Sequence, residues 1–402
     1  MEVIIALLSS SQEYLHIDHL ARDTNNRICK VIESLGQRCV IATWKDFQFT
    51  EHDVLITSGR IRGKGGFTLV NFDPPVIPDY VFFYCTSSSQ RPLILDADSR
   101  LQFQTLKDLG ILSKESWYHR LCYSLLTAMA QRGVPVNYNS DAHQWRVKTT
   151  LELRCREYES SSGRRIPRPP TELVNIPGDA LKMLSFLEAH SCCILKPEHG
   201  TRAEGLLIIE SKSQVWGLNQ PDGGYVLQEL VPSPALMNRR KFDVRAYLSI
   251  SNLEEMSISI PNLMIVRCAV EPYSARNLAS EVCSASYSKR LGSEPSVYSL
   301  ESLLNSKEFD KIDWLAIKES ATETLKEFIN AVAWRAGKQQ AYPNLMIWGI
   351  DLEVQNTKDG PQAILIEANT FPLLYWNELS IDRAMDAVLS EFFNAIHRSK
   401  RS

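Results

Sequence analysis

Over the first part of the chain, short apolar runs alternate with stretches that repeat their apolar positions at helical spacing. Val3–Leu8 reads as a strand, and Ile17–Leu35 as a helix that stops near Gly36. Cys39–Thr43, Asp53–Ile56 and Tyr80–Tyr84 read as further strands. This alternation predicts a small α/β domain with a parallel sheet. Trp117–Arg132 is amphipathic, with Leu121, Leu125, Leu126 and Met129 on one face, and Val134–Asn137 is a short strand. A second segment starts near Ser140 with a helix carrying Trp145, Lys148 and Leu151. Ser160–Pro170 is too rich in Ser, Pro and Gly for regular structure; it reads as a solvated loop, its three arginines being the alternative, a contact for an acidic substrate. From Cys192 the period changes to two. Cys192–Lys196, Leu206–Glu210, Tyr225–Val231, Val244–Ile250 and Leu263–Ala269 predict a largely antiparallel sheet. A helix follows over Asp313–Ala336, then a hairpin, then a last helix with Ser380 as N-cap and Met385, Val388, Leu389 and Phe392 on its apolar face. The expected division is residues 1–139, 140–231 and 232–402, and no internal repeat is visible.

Composition narrows the function classes. With 402 residues, 44% hydrophobic and 23% charged, the chain is long enough for two or three domains with substantial cores. A net charge of -3 argues against a dedicated nucleic-acid binder. No apolar run approaches the roughly 20 residues that span a bilayer. The first residues lack the basic start of a signal peptide and read as a buried strand. The nine cysteines are scattered, with no CxxC pair, which predicts a reducing, cytoplasmic compartment and no structural zinc.

The candidate chemistry lies mostly late in the chain. Trp348–Glu353 and Ile364–Asn369 form the expected hairpin. Glu367 and Asn369 are two apart and share a strand face, and Asp351 can sit opposite them. Two carboxylates and an amide oxygen make a hard-oxygen site suited to Mg²⁺ held together with nucleotide phosphates; the alternative is a wet polar face. Lys196 ends an apolar strand, where a cation is unexpected unless it meets an anion, and the loop after it, Pro197–Gly205, has the shape of a phosphate cover. Gln228-Glu229-Leu230 ends another apolar strand, where backbone groups can pair with an adenine edge. Lys241, Asp243 and Arg245 alternate on one face of the next strand. Gly59–Gly66 fits no phosphate-loop spacing and reads as a basic, mobile loop, and His16 and His19 as surface or capping residues rather than metal ligands.

In order along the chain, these features resemble the ATP-grasp superfamily over roughly Trp117 to Glu378. Arg240-Lys241-Phe242-Asp243-Val244-Arg245-Ala246-Tyr247 is most similar to the tubulin–tyrosine ligase family, while Arg132–Lys148 looks more like glutathione synthetase and the ribosomal-protein glutamate ligases. The resemblance implies an α+β ATP-grasp fold, two α+β subdomains gripping ATP behind the small N-terminal α/β domain. It implies that Lys148 and Lys196 bind the α- and β-phosphates and that Gly200, Thr201 and Gly205 cover them. Gln228, Glu229 and Leu230 would line the adenine pocket, and Asp351, Glu367 and Asn369 would hold Mg²⁺, with Mn²⁺ as a substitute. Lys241, Arg245 and Arg267 would bind the substrate carboxylate and the transferred phosphoryl group. One stretch departs from the pattern: Cys283-Ser284-Ala285-Ser286 precedes Tyr287-Ser288, where tubulin–tyrosine ligases carry His-Leu-Thr-Asn.

The implied reaction is an ATP-dependent carboxylate–amine ligation through an acylphosphate, with ADP and phosphate released. Its partners would be a carboxylate-bearing substrate and an amine, each an amino acid, a peptide or a protein tail, with neither nucleic acid nor membrane. Glu353 is a candidate base. The alternatives are a kinase that stops after phosphoryl transfer and a nucleotide-binding module without catalysis; the complete Asp351, Glu367 and Asn369 set argues against the module. No heptad or apolar stripe points to an oligomeric state.

Overall fold

The computed structural model describes residues 4–9, 19–43, 46–49, 53–63, 66–83, 121–137, 140–190, 192–199, 203–250, 258–259, 263–274, 277–306, 309, 311–336, 346–370, 372–374, 376 and 378–399. Its strands form three sheets. The first contains β1 (Ile4–Ser9), β2 (Arg38–Thr43), β3 (Phe47–Phe49), β4 (Val54–Gly63), β5 (Gly66–Val76) and β6 (Tyr80–Phe83), in the order β3-β4-β2-β1-β6 with β5 beside β4. Its expected parallel centre is present, β1 pairing in parallel with both β2 and β6. Around that centre the sheet is antiparallel. The segment read as a basic, mobile loop is instead the turn end of the β4–β5 hairpin, closed by Gly63 opposite Gly66. Gly59 serves packing: a Cβ there would lie 2.5 Å from Val40 Cγ1 on the neighbouring strand. His19 opens the helix His19–Ser34, and His16 lies outside the described residues.

Alternation along β2 sends side chains to two cores. Val40 and Ala42 pack with Leu126, Met129 and Val136, from the helix Leu121–Gln131 and the segment after it. Cys39 and Ile41 pack with Ile28 and Ile32 and with Met385, Leu389 and Phe392 of the last helix, Leu379–Ser399. That last helix is capped by Glu378 rather than Ser380: the Glu378 carboxylate accepts hydrogen bonds from the Ser380 and Ile381 amides at 3.2 and 2.8 Å. A carboxylate two positions earlier reaches amides that a seryl hydroxyl inside the first turn cannot.

The second sheet contains β7 (Thr171–Ile176), β8 (Cys193–Pro197), β9 (Leu207–Ile209) and β10 (Gly223–Glu229), ordered β7-β10-β8-β9 and antiparallel throughout. The third contains β11 (Leu236–Met237), β12 (Arg240–Ile250), β13 (Ile258–Ser259), β14 (Met264–Cys268), β15 (Ser296–Ser299), β16 (Met346–Thr357) and β17 (Gly360–Asn369). Its order is β15-β14-β12-β16-β17, with β11 and β13 beside β12. The single antiparallel sheet expected from Cys192 onward is therefore two sheets, because a period of two marks strands without saying which ones pair. Helix Trp314–Ala336 covers one face of the third sheet, burying Leu325 and Phe328 with Trp348 and Leu352. The opposite face of β12 and β16 carries charged residues at one end and, at the other, Tyr247 and Ile347 packed with the last helix.

The helix expected from Ser140 is broken. Ser140–His143 and the tight turn Gln144–Arg146 precede Val147, which is extended at φ -79° and ψ 117°, and a new helix begins at Lys148. This helix runs to Ser162 and ends on Gly163 at φ 70°, a left-handed position that suits glycine. Of the arginines of the expected loop, Arg168 holds the fold instead of facing solvent or an acidic substrate, whereas Arg164 makes an ion pair and stays exposed. Arg168 pairs with Glu152 at 2.8 Å and with Glu159 at 2.5 Å, and Arg164 pairs with Glu327 at 2.7 Å.

Asp382, on the last helix, couples the helix His19–Ser34 to the segment after β17. It is fully buried, accepts the Trp376 amide at 2.8 Å and pairs with Arg27 at 2.6 Å. Replacing it with alanine leaves that amide unpaired and is expected to lower stability by about 1–3 kcal/mol, read from denaturant unfolding. Among the described residues no helix is long and apolar enough to cross a membrane.

Candidate active site

The polar face of the third sheet and one end of the second line a common cleft of about 330 Å³. Strand periodicity explains why so many charges meet there. Lys241, Asp243 and Arg245 alternate on β12; Asp243 lies opposite Arg267 on β14 and Glu353 on β16, and Arg245 lies opposite Asp351. Asp351 in turn lies opposite Glu367, and Gly349 opposite Asn369, on β17. A bulge after Asp351 shifts the register, so that Leu352 pairs with Leu365 and Ile366 is the extra residue.

These groups are paired with one another. Arg245 holds Asp351 by two parallel hydrogen bonds of 2.7 Å. Arg267 holds Asp243 at 2.8 and 2.5 Å and reaches Asp351 at 3.1 Å. Although burial opposes ionisation, the Arg245 and Arg267 guanidiniums hold the Asp351 carboxyl well below the usual carboxylate range. Asp243 is paired with Arg267 but is pushed up to about 6, chiefly by burial. Lys241 is buried between two carboxylates, its ammonium 2.6 Å from oxygens of both Glu281 and Glu353. The Asn369 amide lies 3.2 Å from Glu367 and 3.3 Å from Asp351. Gly349 permits this closeness, since a Cβ there would meet Pro372 Cβ at 2.7 Å and Arg245 Nε at 3.4 Å.

The second sheet supplies the other wall. Lys196 donates to Gln228 Oε1 at 2.6 Å, and Gln228 Nε2 donates to Thr171 at 3.0 Å, so the amide orientation is fixed from both sides. Burial lowers the Lys196 pKa to about 8, the Glu367 carboxylate partly offsetting it. Burial likewise lowers Lys148, again opposed by Glu367. The amides of Glu229 and Leu230 are bonded to the carbonyls of Pro170 and Cys192, so these two N–H groups are engaged within the protein.

Lys148, Lys196, Gln228, Glu229, Leu230, Lys241, Arg245, Arg267, Asp351, Glu367 and Asn369 thus line one cleft. Gly205 stands apart from its lining; it turns the chain at φ 69°, and a Cβ would meet Pro197 Cγ at 2.8 Å. Gly200 and Thr201 lie outside the described residues. Sequence reasoning missed Glu281, Arg146 and Trp376. Glu281 ends a four-residue helix, Leu278–Glu281, whose pattern carries no signal; Arg146 sits in the turn that breaks the expected helix. Trp376 lies with its ring 6.0 Å from the Arg245 guanidinium and donates to the Tyr247 hydroxyl at 2.8 Å. His143 bonds Thr370 at 2.8 Å, and burial lowers its pKa to about 3, so it holds the end of β17 as a neutral ring.

The model of the tubulin-tyrosine ligase family matches residues 171–401. The chain belongs to that family. Lys148 precedes the matched region, whereas Asp351, Glu367 and Asn369 lie inside it. Tubulin–tyrosine ligase-like protein 12 of Caenorhabditis elegans is 21% identical over 196 residues, 46% of this chain and 30% of that protein. Tubulin polyglutamylase ttll-11 of the same organism is 33% identical over 81 residues, 20% of this chain and 11% of that one. The match therefore spans less than a third of either relative's length. Among solved structures, the C-terminal domain of Pby1 from K. lactis, an ATP-grasp enzyme interacting with the mRNA decapping enzyme Dcp2, superposes with a TM-score of 0.52. It is 15% identical, over 97% of this chain and 94% of that one. The likeness is one of fold, and the fold of this family member is the α+β ATP-grasp fold behind an N-terminal sheet.

Proposed function

We propose that this chain is an ATP-dependent carboxylate–amine ligase that joins an amino acid to a peptide or protein tail in the cytoplasm. The observation that carries the reading is the pairing of Asp351, Glu367 and Asn369 across β16 and β17, in the same cleft as Lys148 and Lys196. In an ATP-grasp fold these are the two halves of a nucleotide site, with cations for the phosphates on one sheet and oxygens for a cation on the other.

The donors fit a Mg²⁺ ion in kind, being oxygen groups only. Asp351 already spends its oxygens on Arg245 and Arg267, so Glu367 and Asn369, both half-buried, are the residues that would hold the metal, with Asp351 beside them. When bound, the ion would neutralise charge that develops on the phosphoryl oxygens. The chain's own part is alignment. Lys148 and Lys196 bind phosphate, Gln228 is held rigid at the adenine end, and Arg245 and Arg267 present guanidiniums to the carboxylate that attacks the γ-phosphorus. The resulting acylphosphate is opened by the amine, releasing phosphate and leaving an amide. Where tubulin–tyrosine ligases carry Thr and Asn, Ala285 and Ser286 line this cleft, which favours a tail other than tubulin's.

The test is phosphate release from Mg-ATP against paired panels of amino acids, peptides and purified tubulin, with mass spectrometry of the products. The ligase reading requires substrate-dependent ADP and phosphate and a product lighter than its parts by one water. A stable phosphorylated product would make it a kinase.

Nucleotide binding should also depend on pH through Lys196. A lysine with its pKa lowered to about 8 is charged below that pH and neutral above it. Its attraction for phosphate is therefore present at lower pH and lost as pH rises through about 8. The Kd for Mg-ATP is expected to rise by up to about tenfold per pH unit above that point. Lys196→Arg, which stays charged, should flatten this rise when binding is followed by calorimetry.

A further inference from the structure

Among the described cleft residues, the corner around Lys241 carries one negative charge in excess. Arg245 and Arg267 are matched by Asp351 and Asp243, but the single Lys241 ammonium faces both Glu281 and Glu353 at 2.6 Å. Glu281 Oε1 and Glu353 Oε1 are buried without a hydrogen-bond partner, the approach of Lys241 to Glu353 being close but poorly directed. A buried carboxylate oxygen without a donor is costly, and a second buried carboxylate beside it more so. The arrangement is therefore completed by a cation that the substrate brings. Both glutamates line the cleft, beside the groups assigned above to the substrate carboxylate. A divalent ion would take its oxygens from Glu367 and Asn369; what remains to be placed is the amine, which arrives as an ammonium and attacks only after losing a proton.

We propose that Glu281 binds the ammonium group of the amine substrate and accepts its proton, with Glu353 and Lys241 fixing its carboxylate. The inference rests on the ligase reading. In the step, R–NH₃⁺ passes one proton to Glu281, which becomes the neutral acid; the free amine then bonds to the acylphosphate carbon as the C–O bond to phosphate breaks, and its second proton leaves on the phosphate as HPO₄²⁻. The groups facing Glu281 are Lys241 from β12, Glu353 from β16 and, through its field, Tyr273 of its own segment. Burial outweighs Lys241 and raises the Glu281 pKa, which makes it a better proton acceptor than an ordinary glutamate.

Hydroxylamine separates this role from a structural one, because it is uncharged at neutral pH and needs neither an ammonium subsite nor a base. The intact protein is given Mg-ATP, glutamate-ended peptides or tubulin, and either amino acids or hydroxylamine; amide and hydroxamate are then measured for wild type and Glu281→Gln. The variant is expected to lose amide formation roughly a hundredfold more than hydroxamate formation, with a raised KM for the amino acid. Equal loss with both nucleophiles would mean that Glu281 only positions Lys241, and would overturn the proposal. A gain with both would show it to be a plug on Lys241, and would overturn it too. Wild type forming neither product would sink the ligase reading itself, and the inference with it.

Discussion

Glu367→Ala is expected to lower ATP turnover by roughly a hundred- to a thousandfold while leaving the fold intact, the loss typical of removing one fixed group that stabilises transition-state charge. The two halves of this expectation have separate causes. Glu367 is half-buried, bonded to Asn369 at 3.2 Å and in contact with Asp351, and its loss leaves the ion pairs of Asp351, Asp243 and Lys241 unbroken, so the fold should stand. It also faces Lys148 and Lys196, and its field is the largest one opposing their desolvation. Without it both lysines should lose protons at lower pH, weakening phosphate binding in addition to the lost metal donor. Phosphate release at several pH values, beside an unfolding curve that matches wild type, would check both halves. Unchanged turnover would remove this cleft from the chemistry.

Arg245→Ala is expected to damage stability and activity together. Breaking one side of a buried ion pair typically costs about 3–5 kcal/mol, because the remaining charge stays buried. Here Asp351 keeps Arg267 at 3.1 Å, so a value near the lower end, about 3 kcal/mol, is expected from denaturant unfolding. The sign with pH follows from Asp351. Its carboxyl is held well below the usual range, so the pair stabilises the fold above the ordinary carboxylate pKa and loses that contribution only as pH falls far into acid. The variant should therefore show a smaller loss of stability on acidification than wild type. Removing both partners, Arg245→Met with Asp351→Leu, should recover most of the stability and none of the activity, which separates the cost of an orphaned charge from the value of the pair.

Much of this site was legible because strand alternation is a local rule. Lys241, Asp243 and Arg245 share a face whatever the strand pairs with, as do Glu367 and Asn369. The hairpin register was nearly legible too, but the bulge after Asp351 was not, since an extra residue in a ladder is settled by the partner strand. The break at Val147 escaped for a similar reason. The apolar pattern continues across it, from Trp145 to Leu151, both pieces packing into one core, and only the extended backbone at Val147 shows the break. Ser160–Pro170 looked solvated by composition, yet Glu152 and Glu159, on the helix before it, draw Arg168 inward.

By itself the sequence determined strands β12, β14, β16 and β17 of the third sheet and the long helix over them, the faces on which their charged residues lie, and the order of motifs that marks the family. Those properties depend on residues within a few positions of one another. Only the tertiary structure decided that the strands after Cys192 divide into two sheets across a cleft, that Arg245 and Arg267 are already committed to Asp351 and Asp243, and that Glu281 joins Glu353 at Lys241. Glu281 comes to Lys241 from 40 residues away. Its four-residue helix has no periodic pattern to read, and a charge pair at that separation is made by the folded chain bringing the two together in a dry place, where Coulomb attraction is no longer screened by water.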